Sequence, residues 1–247
     1  MLQEWPRKHF QPGGGNPFLF YVIYGPITPT AVASNTYRVT GIPEGIGITH
    51  YSADKPDAAA GFREGYLWEE LLSTAPDFAQ RVSTTNECLI IRGEPSDSTN
   101  LNYLRDIVGL ITHFLDHGAV CAYDPQMFHW WKPDEWRQRI FDPAGAVPRH
   151  HVIILVSEEA TPGLQWFHTR GIRKFGRPDL SMHNVLPSQR DAVVDLFNRF
   201  IEHLAFGLVI PEGQPIRMKS LPDGLKCRHA GDLDDPDFNN VHIEIVR

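Results

Sequence analysis

Apolar positions along the chain fall into short continuous runs and longer runs of helical period. Phe18–Tyr24 (F-L-F-Y-V-I-Y) is aromatic and β-branched, bounded by Pro17 and Gly25-Pro26, and predicts a buried strand. Glu87–Arg92 and Ala119–Tyr123 predict two more, and His151–Val156 is the strongest run of the second half. Leu164–Thr169 follows Pro162-Gly163 and predicts the return strand of a hairpin. Val241–Val246 alternates strictly, as a strand with one polar face does. Thr36–Val39, Ile46–Tyr51 and Pro215–Leu221 are shorter strand candidates. Helical spacing governs Thr99–His117, with Leu101, Leu104, Ile107, Val108, Ile111, Phe114 and Leu115 on one face, Asp97 or Ser98 as cap and Gly118 as stop. It governs Pro187–Phe206 likewise, through Val193, Leu196, Phe197, Phe200, Ile201 and Leu204, with Ser188 or Asn184 near the cap and Gly207 closing it. Shorter helices are predicted over Gly61–Leu72, Asp77–Val82 and Lys132–Phe141.

Strand, long helix and strand in close order suggest a crossover of the βαβ kind in the first half. The predicted class is α+β, a mixed sheet packed by two long amphipathic helices in two similar halves. The Pro/Gly connection Asp142–Arg149 divides an N-terminal half, residues 1–145, from a C-terminal half, residues 146–247; one compact domain is the other organisation the length allows.

Composition narrows the picture. The net charge of −7 gives no global reason to expect nucleic acid or an anionic membrane as partner. Three dispersed cysteines, Cys88, Cys121 and Cys227, form no C-x-x-C, so neither a disulfide framework nor a thiolate metal site is expected. The N-terminus lacks the apolar core of a secretory signal and no run reaches the length of a membrane span, so the expected location is cytoplasmic.

Candidate chemistry concentrates in Trp166–His183, W-F-H-T-R-G-I-R-K-F-G-R-P-D-L-S-M-H. Gly171 and Gly176 allow tight backbone turns, and Pro178 keeps Arg177 out of helix. Arg170, Arg173 and Arg177 are candidates to clamp a carboxylate or phosphate, with His168 and His183 flanking them, because guanidinium groups bind such anions through two parallel hydrogen bonds. The competing reading is a structural turn between strand and helix: Asp179 pairs one arginine, Trp166, Phe167 and Phe175 fill core, and the remaining cations face solvent. Twelve histidines raise the idea of a metal site from His151, His168, His183 and Asp179, but no H-E-x-x-H or H-x-H spacing occurs and none is expected. No G-x-S-x-G occurs either, and the adjacent acids Glu69-Glu70, Glu158-Glu159 and Asp234-Asp235 are not spaced to share a proton. Phe128, Trp130, Trp131 and Trp136 offer either an exposed contact surface or core between the halves.

Thr169, Gly171, Phe175, Gly176, Pro178 and Asp179 spell T-x-G-x-x-x-F-G-x-P-D. This resembles a bacterial domain-of-unknown-function family that carries T-x-G-x-x-x-F-G-x-P-[DE] ahead of an amphipathic helix. The A-V-C-A-Y-D-P return is similar too, and the likeness runs over Cys88–Gly213. The resemblance implies a fold and a bacterial source, without an activity.

The expectation is a cytosolic binding protein without catalysis or cofactor, of an immunity or accessory type, whose partner is a protein. The alternative is an enzyme or ligand-binding domain holding an anionic small molecule with Arg170, Arg173 and Arg177.

Overall fold

The computed structural model describes residues 2–27, 33–52, 54 and 56–247. In chain order the elements are β1 (Leu19–Tyr24), β2 (Ile46–Tyr51), α1 (Pro56–Ala60), α2 (Tyr66–Thr74), α3 (Pro76–Ser83), β3 (Cys88–Gly93), α4 (Asn102–Asp116), β4 (Cys121–Asp124), β5 (His129–Trp131) and α5 (Pro133–Trp136). A turn of π-helix, Arg137–Phe141, extends α5. There follow β6 (Ile153–Glu158), β7 (Gln165–Arg170), β8 (Asp179–Val185), α6 (Arg190–Ala205), β9 (Lys226–Ala230) and β10 (His242–Val246). The fold is α+β, with two five-stranded sheets ordered β2-β3-β1-β4-β5 and β6-β7-β8-β10-β9. Among the described residues no helix is long and apolar enough to cross a membrane.

Two compact units divide the chain. One holds Met1–Trp5, Leu19–Ser96 and Asn100–Ala146; the other holds Pro6–Phe18, Asp97–Thr99 and Val147–Arg247. Each owns one sheet and one long helix, but the strand orders differ. The second unit recruits an N-terminal segment and three residues from beside α4, a discontinuity invisible to a boundary search along the sequence.

In the first unit β3 and β4 both run antiparallel to β1. They are therefore parallel to each other, and α4 makes the crossover between them with β1 in between. One sheet face packs Val22, Tyr24, Cys88, Cys121, Tyr123 and Trp130 beneath Trp68, Phe78 and Val82 of α2 and α3. Tyr24 is paired with Cys88 on one side and Cys121 on the other. The two cysteines are thus two strand spacings apart, about 9.5 Å, which is too far for a disulfide. Trp130, Trp131 and Trp136 are all buried in this unit's own core: Trp130 stacks on Tyr123 at 4.1 Å, and Trp136 donates to Thr112 Oγ1 at 3.0 Å.

Several predicted elements shift. The helix expected over Gly61–Leu72 starts only after Gly65, whose φ of 74° breaks the run, and continues to Thr74. Thr36–Val39 is a turn closed by a bridge from Ser34 to Val39. Helix α4 begins at Asn102 with Leu101 at its cap position and no side-chain cap. Gly118 and Gly207 end the long helices in left-handed conformation, as their positions predicted. Pro215–Leu221 is not a strand; a turn from Met218 to Leu221 folds it back, and Lys226–Ala230 takes the place beside β10. K-C-R-H-A hid that strand because it is an edge that buries only Cys227.

In the second unit β8 and β10 are parallel and every other pairing is antiparallel. The inner face buries Phe167, Leu180, Met182, Cys227, Ile243 and Ile245, and α6 turns Val193, Leu196, Phe197, Ile201 and Leu204 inward. Each buried side chain of this size contributes about 1.5–3 kcal/mol, so this stripe fixes where α6 lies. The stretch Trp166–His183 therefore runs up β7, through a turn, and down β8 rather than passing from strand into helix; β8 had no strong apolar pattern because its outer face carries Asp179, Ser181 and His183.

Candidate functional site

The turn between β7 and β8 is a single turn of 3-10 helix, Ile172–Phe175, between two glycines in left-handed conformation. A Cβ on Gly171 would lie 2.6 Å from the His151 carbonyl oxygen, and one on Gly176 2.1 Å from that of Gly15, so neither position admits a side chain. Asp179 is the hub. Its Oδ1 accepts from the Thr169 hydroxyl at 2.8 Å and the Ile172 amide at 3.2 Å, and its Oδ2 accepts from Asn240 Nδ2 at 2.8 Å. Thr169 Oγ1 in turn accepts from the Leu180 amide at 2.8 Å, and Asn240 also donates to the Arg177 carbonyl at 3.0 Å. Burial pushes the Asp179 carboxyl up to about 6, against the pull of Asn240, Thr169, Ile172 and the charge of Arg170. Thr169, Gly171, Phe175, Gly176, Pro178 and Asp179 thus hold one tight connection.

The cations serve the same connection. Arg170 donates to the Asp237 carbonyl and Arg173 to that of Asn239 at 2.6 Å, so both engage the acidic loop between β9 and β10. Arg177 reaches a different set: the carbonyls of Gly207 (3.0 Å), Leu208 (3.2 Å) and Gln11 (3.2 Å), and Asp97 Oδ2 at 3.1 Å. Asp97 also pairs with Arg7, whose guanidinium donates to the Phe175 carbonyl at 2.8 Å and the Ala205 carbonyl at 3.1 Å. Lys174, expected at the surface, is fully buried and donates to the His151 carbonyl at 2.9 Å. The arginines do not aim at one point. Arg7, Asp97 and Asn240 complete the cluster, and sequence reasoning missed all three; Asp97 had a competing reading as helix cap, and nothing local marks Arg7 or Asn240.

The histidines divide. His151 is buried against Lys174 and Phe175, and burial together with the Lys174 charge takes its imidazole down to about 3. His168 and His183 instead share Trp166, whose ring stacks on His168 at 3.9 Å and on His183 at 5.0 Å. Phe238 lies edge-on to Trp166 and His168, and His242 stacks on Phe238 at 4.1 Å. Burial, then the Arg170 charge, takes His168 down to about 4, so it is neutral at physiological pH. A β-bulge lets His183 and Asn184 oppose the single residue Trp166, with Asn184 at φ 57°. Glu159, at the tip of the β6–β7 hairpin, fixes the bulge by accepting from His183 Nδ1 at 2.7 Å and the Asn184 amide at 3.2 Å.

These rings lie on the outer face of the second sheet. Register places Leu155 beside His168 and Ser157 beside Trp166 on that face. The acidic loop covers its middle, since Phe238 and Asn240 are buried, but Ile153, Leu155 and Trp166 stay half-buried and Ser157 and His183 exposed. Strand β6 is also the last strand of its sheet. Such a surface offers ring and aliphatic packing area and an unpaired strand edge. Among the described residues no group of three or more His, Cys, Asp or Glu side chains is placed to hold a metal ion.

No family model matches the chain, and neither the curated proteins nor the solved structures contain a match.

Proposed function

We propose that the chain is a cytoplasmic bacterial binding protein without chemistry of its own, of the immunity or accessory type, and that it recognises a partner protein through the hairpin end of its second sheet. The observation that carries this reading is the patch formed by half-buried Leu155 and Trp166 and exposed Ser157 on the edge hairpin, beside exposed His183 of β8. Aromatic groups held rigid at a surface are the usual anchors of protein interfaces, and Trp166 is held by two stacked rings and by its Nε1 bond to Ser181 Oγ at 2.9 Å. The anion-clamp alternative is weaker, because Arg170 and Arg177 are buried and donate to carbonyls of their own unit.

The test is capture of partners from a bacterial lysate by three forms of the protein: unaltered, Leu155→Asp/His183→Glu, and Arg173→Ala. A protein captured by the first and third forms and lost from the second supports the reading. Capture unaffected by the double substitution but abolished by Arg173→Ala contradicts it.

A further inference from the structure

Beside its core stripe, helix α6 presents a second face that starts at buried Leu196 and continues through residues the core does not absorb. Leu196, Arg199, Phe200 and His203 follow one another at helical spacing, and Phe200 remains half-exposed although the apolar period marks it as core. Opposite them runs the irregular segment from Leu208 to Met218. Between the two walls lies a pocket of about 450 Å³, within the usual range for small-molecule sites.

Both walls are fixed. The segment is tied by the His229 ring to the Ile210 carbonyl at 2.8 Å, by Gly213 N to Cys227 O at 2.8 Å, and by Ile216 N to Leu225 O at 2.8 Å. On the helix, His203 Nδ1 bonds the Arg199 carbonyl at 2.7 Å. A carbonyl only accepts, so Nδ1 carries the proton and Nε2 is the ring's other polar atom. Leu196, Phe200, Val209, Ile210, Ile216 and Met218 supply the apolar lining.

The charge of this pocket runs against that of the chain. Among the described residues its ionisable lining is Arg199, Arg217 and His203, on a protein of net charge −7. Asp195 takes one arm of Arg199 at 2.8 Å in an exposed pair, and such pairs are weak and exchangeable. We infer that this pocket binds an amphiphile with one carboxylate on an apolar body of acyl-chain type, the body against Phe200 and Ile216 and the carboxylate at Arg199 and Arg217.

Calorimetric titration with decanoate, decanol and decylamine tests this directly. Decanoate is expected to bind at least about tenfold more tightly than either of the others. Arg217→Glu, at an exposed position, should abolish that preference, and Phe200→Glu should abolish binding of all three. Thermal melts establish that each variant is folded, and Arg217→Glu carries the test if Phe200→Glu does not fold. Equal affinity for decanoate and decanol, no binding of decanoate, or unchanged selectivity in folded Arg217→Glu overturns the inference. So does sedimentation showing self-association that Phe200→Glu abolishes, because a second copy would then fill the pocket.

Discussion

Asp179→Ala separates the two opposing effects on the buried hub. The substitution leaves the Thr169 hydroxyl, the Ile172 amide and the Asn240 amide without their shared acceptor. At roughly 1–2 kcal/mol for each stranded donor, the loss is about 3–6 kcal/mol. A pH-dependent part comes on top. Burial raises the carboxyl from 3.8 to about 6, so the folded state binds the proton more tightly than the unfolded chain. The stability this linkage contributes is fully present below the unfolded value and is lost as pH rises through the folded one. The window spans about 2 units at about 1.4 kcal/mol per unit, so the native state loses about 3 kcal/mol between roughly pH 4 and pH 7 that the alanine variant does not lose. The destabilisation caused by Asp179→Ala should therefore be largest near pH 4 and shrink towards pH 7. Urea unfolding at a series of pH values, read through hydrogen exchange of the β8 amides, measures it in the second unit alone. A destabilisation that grows with pH would refute the reasoning, because it would mean that the donors and Arg170 outweigh burial and hold the carboxyl below its ordinary value.

Other consequences are simpler to check. Gly176→Ala should cost at least about 2 kcal/mol in a thermal melt, because it combines a left-handed φ with backbone overlap; Gly213→Ala, with φ 73° and open space around its Cβ, should cost only about 1 kcal/mol. Arg177→Lys should cost about 2–4 kcal/mol in urea, since an ammonium cannot span Asp97 and the carbonyls of Gln11, Gly207 and Leu208; a neutral result would show that the fork is dispensable. By NMR, His168 and His151 should remain neutral down to about pH 5, and a midpoint above 6 for either would contradict its burial. Thiol titration of the unfolded, unreduced protein should count three cysteines.

Much of the architecture was legible because burial writes a period into the chain. F-L-F-Y-V-I-Y, E-C-L-I-I-R and the two amphipathic helices are strongly patterned, and the glycines that stop the helices sit where left-handed conformation is needed. Edge strand β9 and the outer face of β8 were illegible, since neither is apolar enough to betray a ladder. The glycines and proline of the stretch correctly marked a tight turn. Its cations did not behave as surface charge runs usually do: Arg170, Lys174 and Arg177 are buried because backbone carbonyls and Asp97 compensate them, partners up to 166 residues away in sequence. The pairing of Trp166 with His168 follows strand period and was open to inspection; the arrival of His183 and Phe238 depended on the bulge and the acidic loop, which have no local signature.

Site-specific photo-crosslinking is the sharpest test of the proposed recognition surface. A benzophenone side chain is placed at His183 on the hairpin end of the second sheet, and at Glu202 on α6 as the comparison, and each protein is irradiated in a bacterial lysate. One discrete adduct is expected from position 183, absent when Leu155→Asp is added, and none of that mass from position 202. Adducts from 202 alone, or an adduct from 183 indifferent to Leu155→Asp, would contradict it.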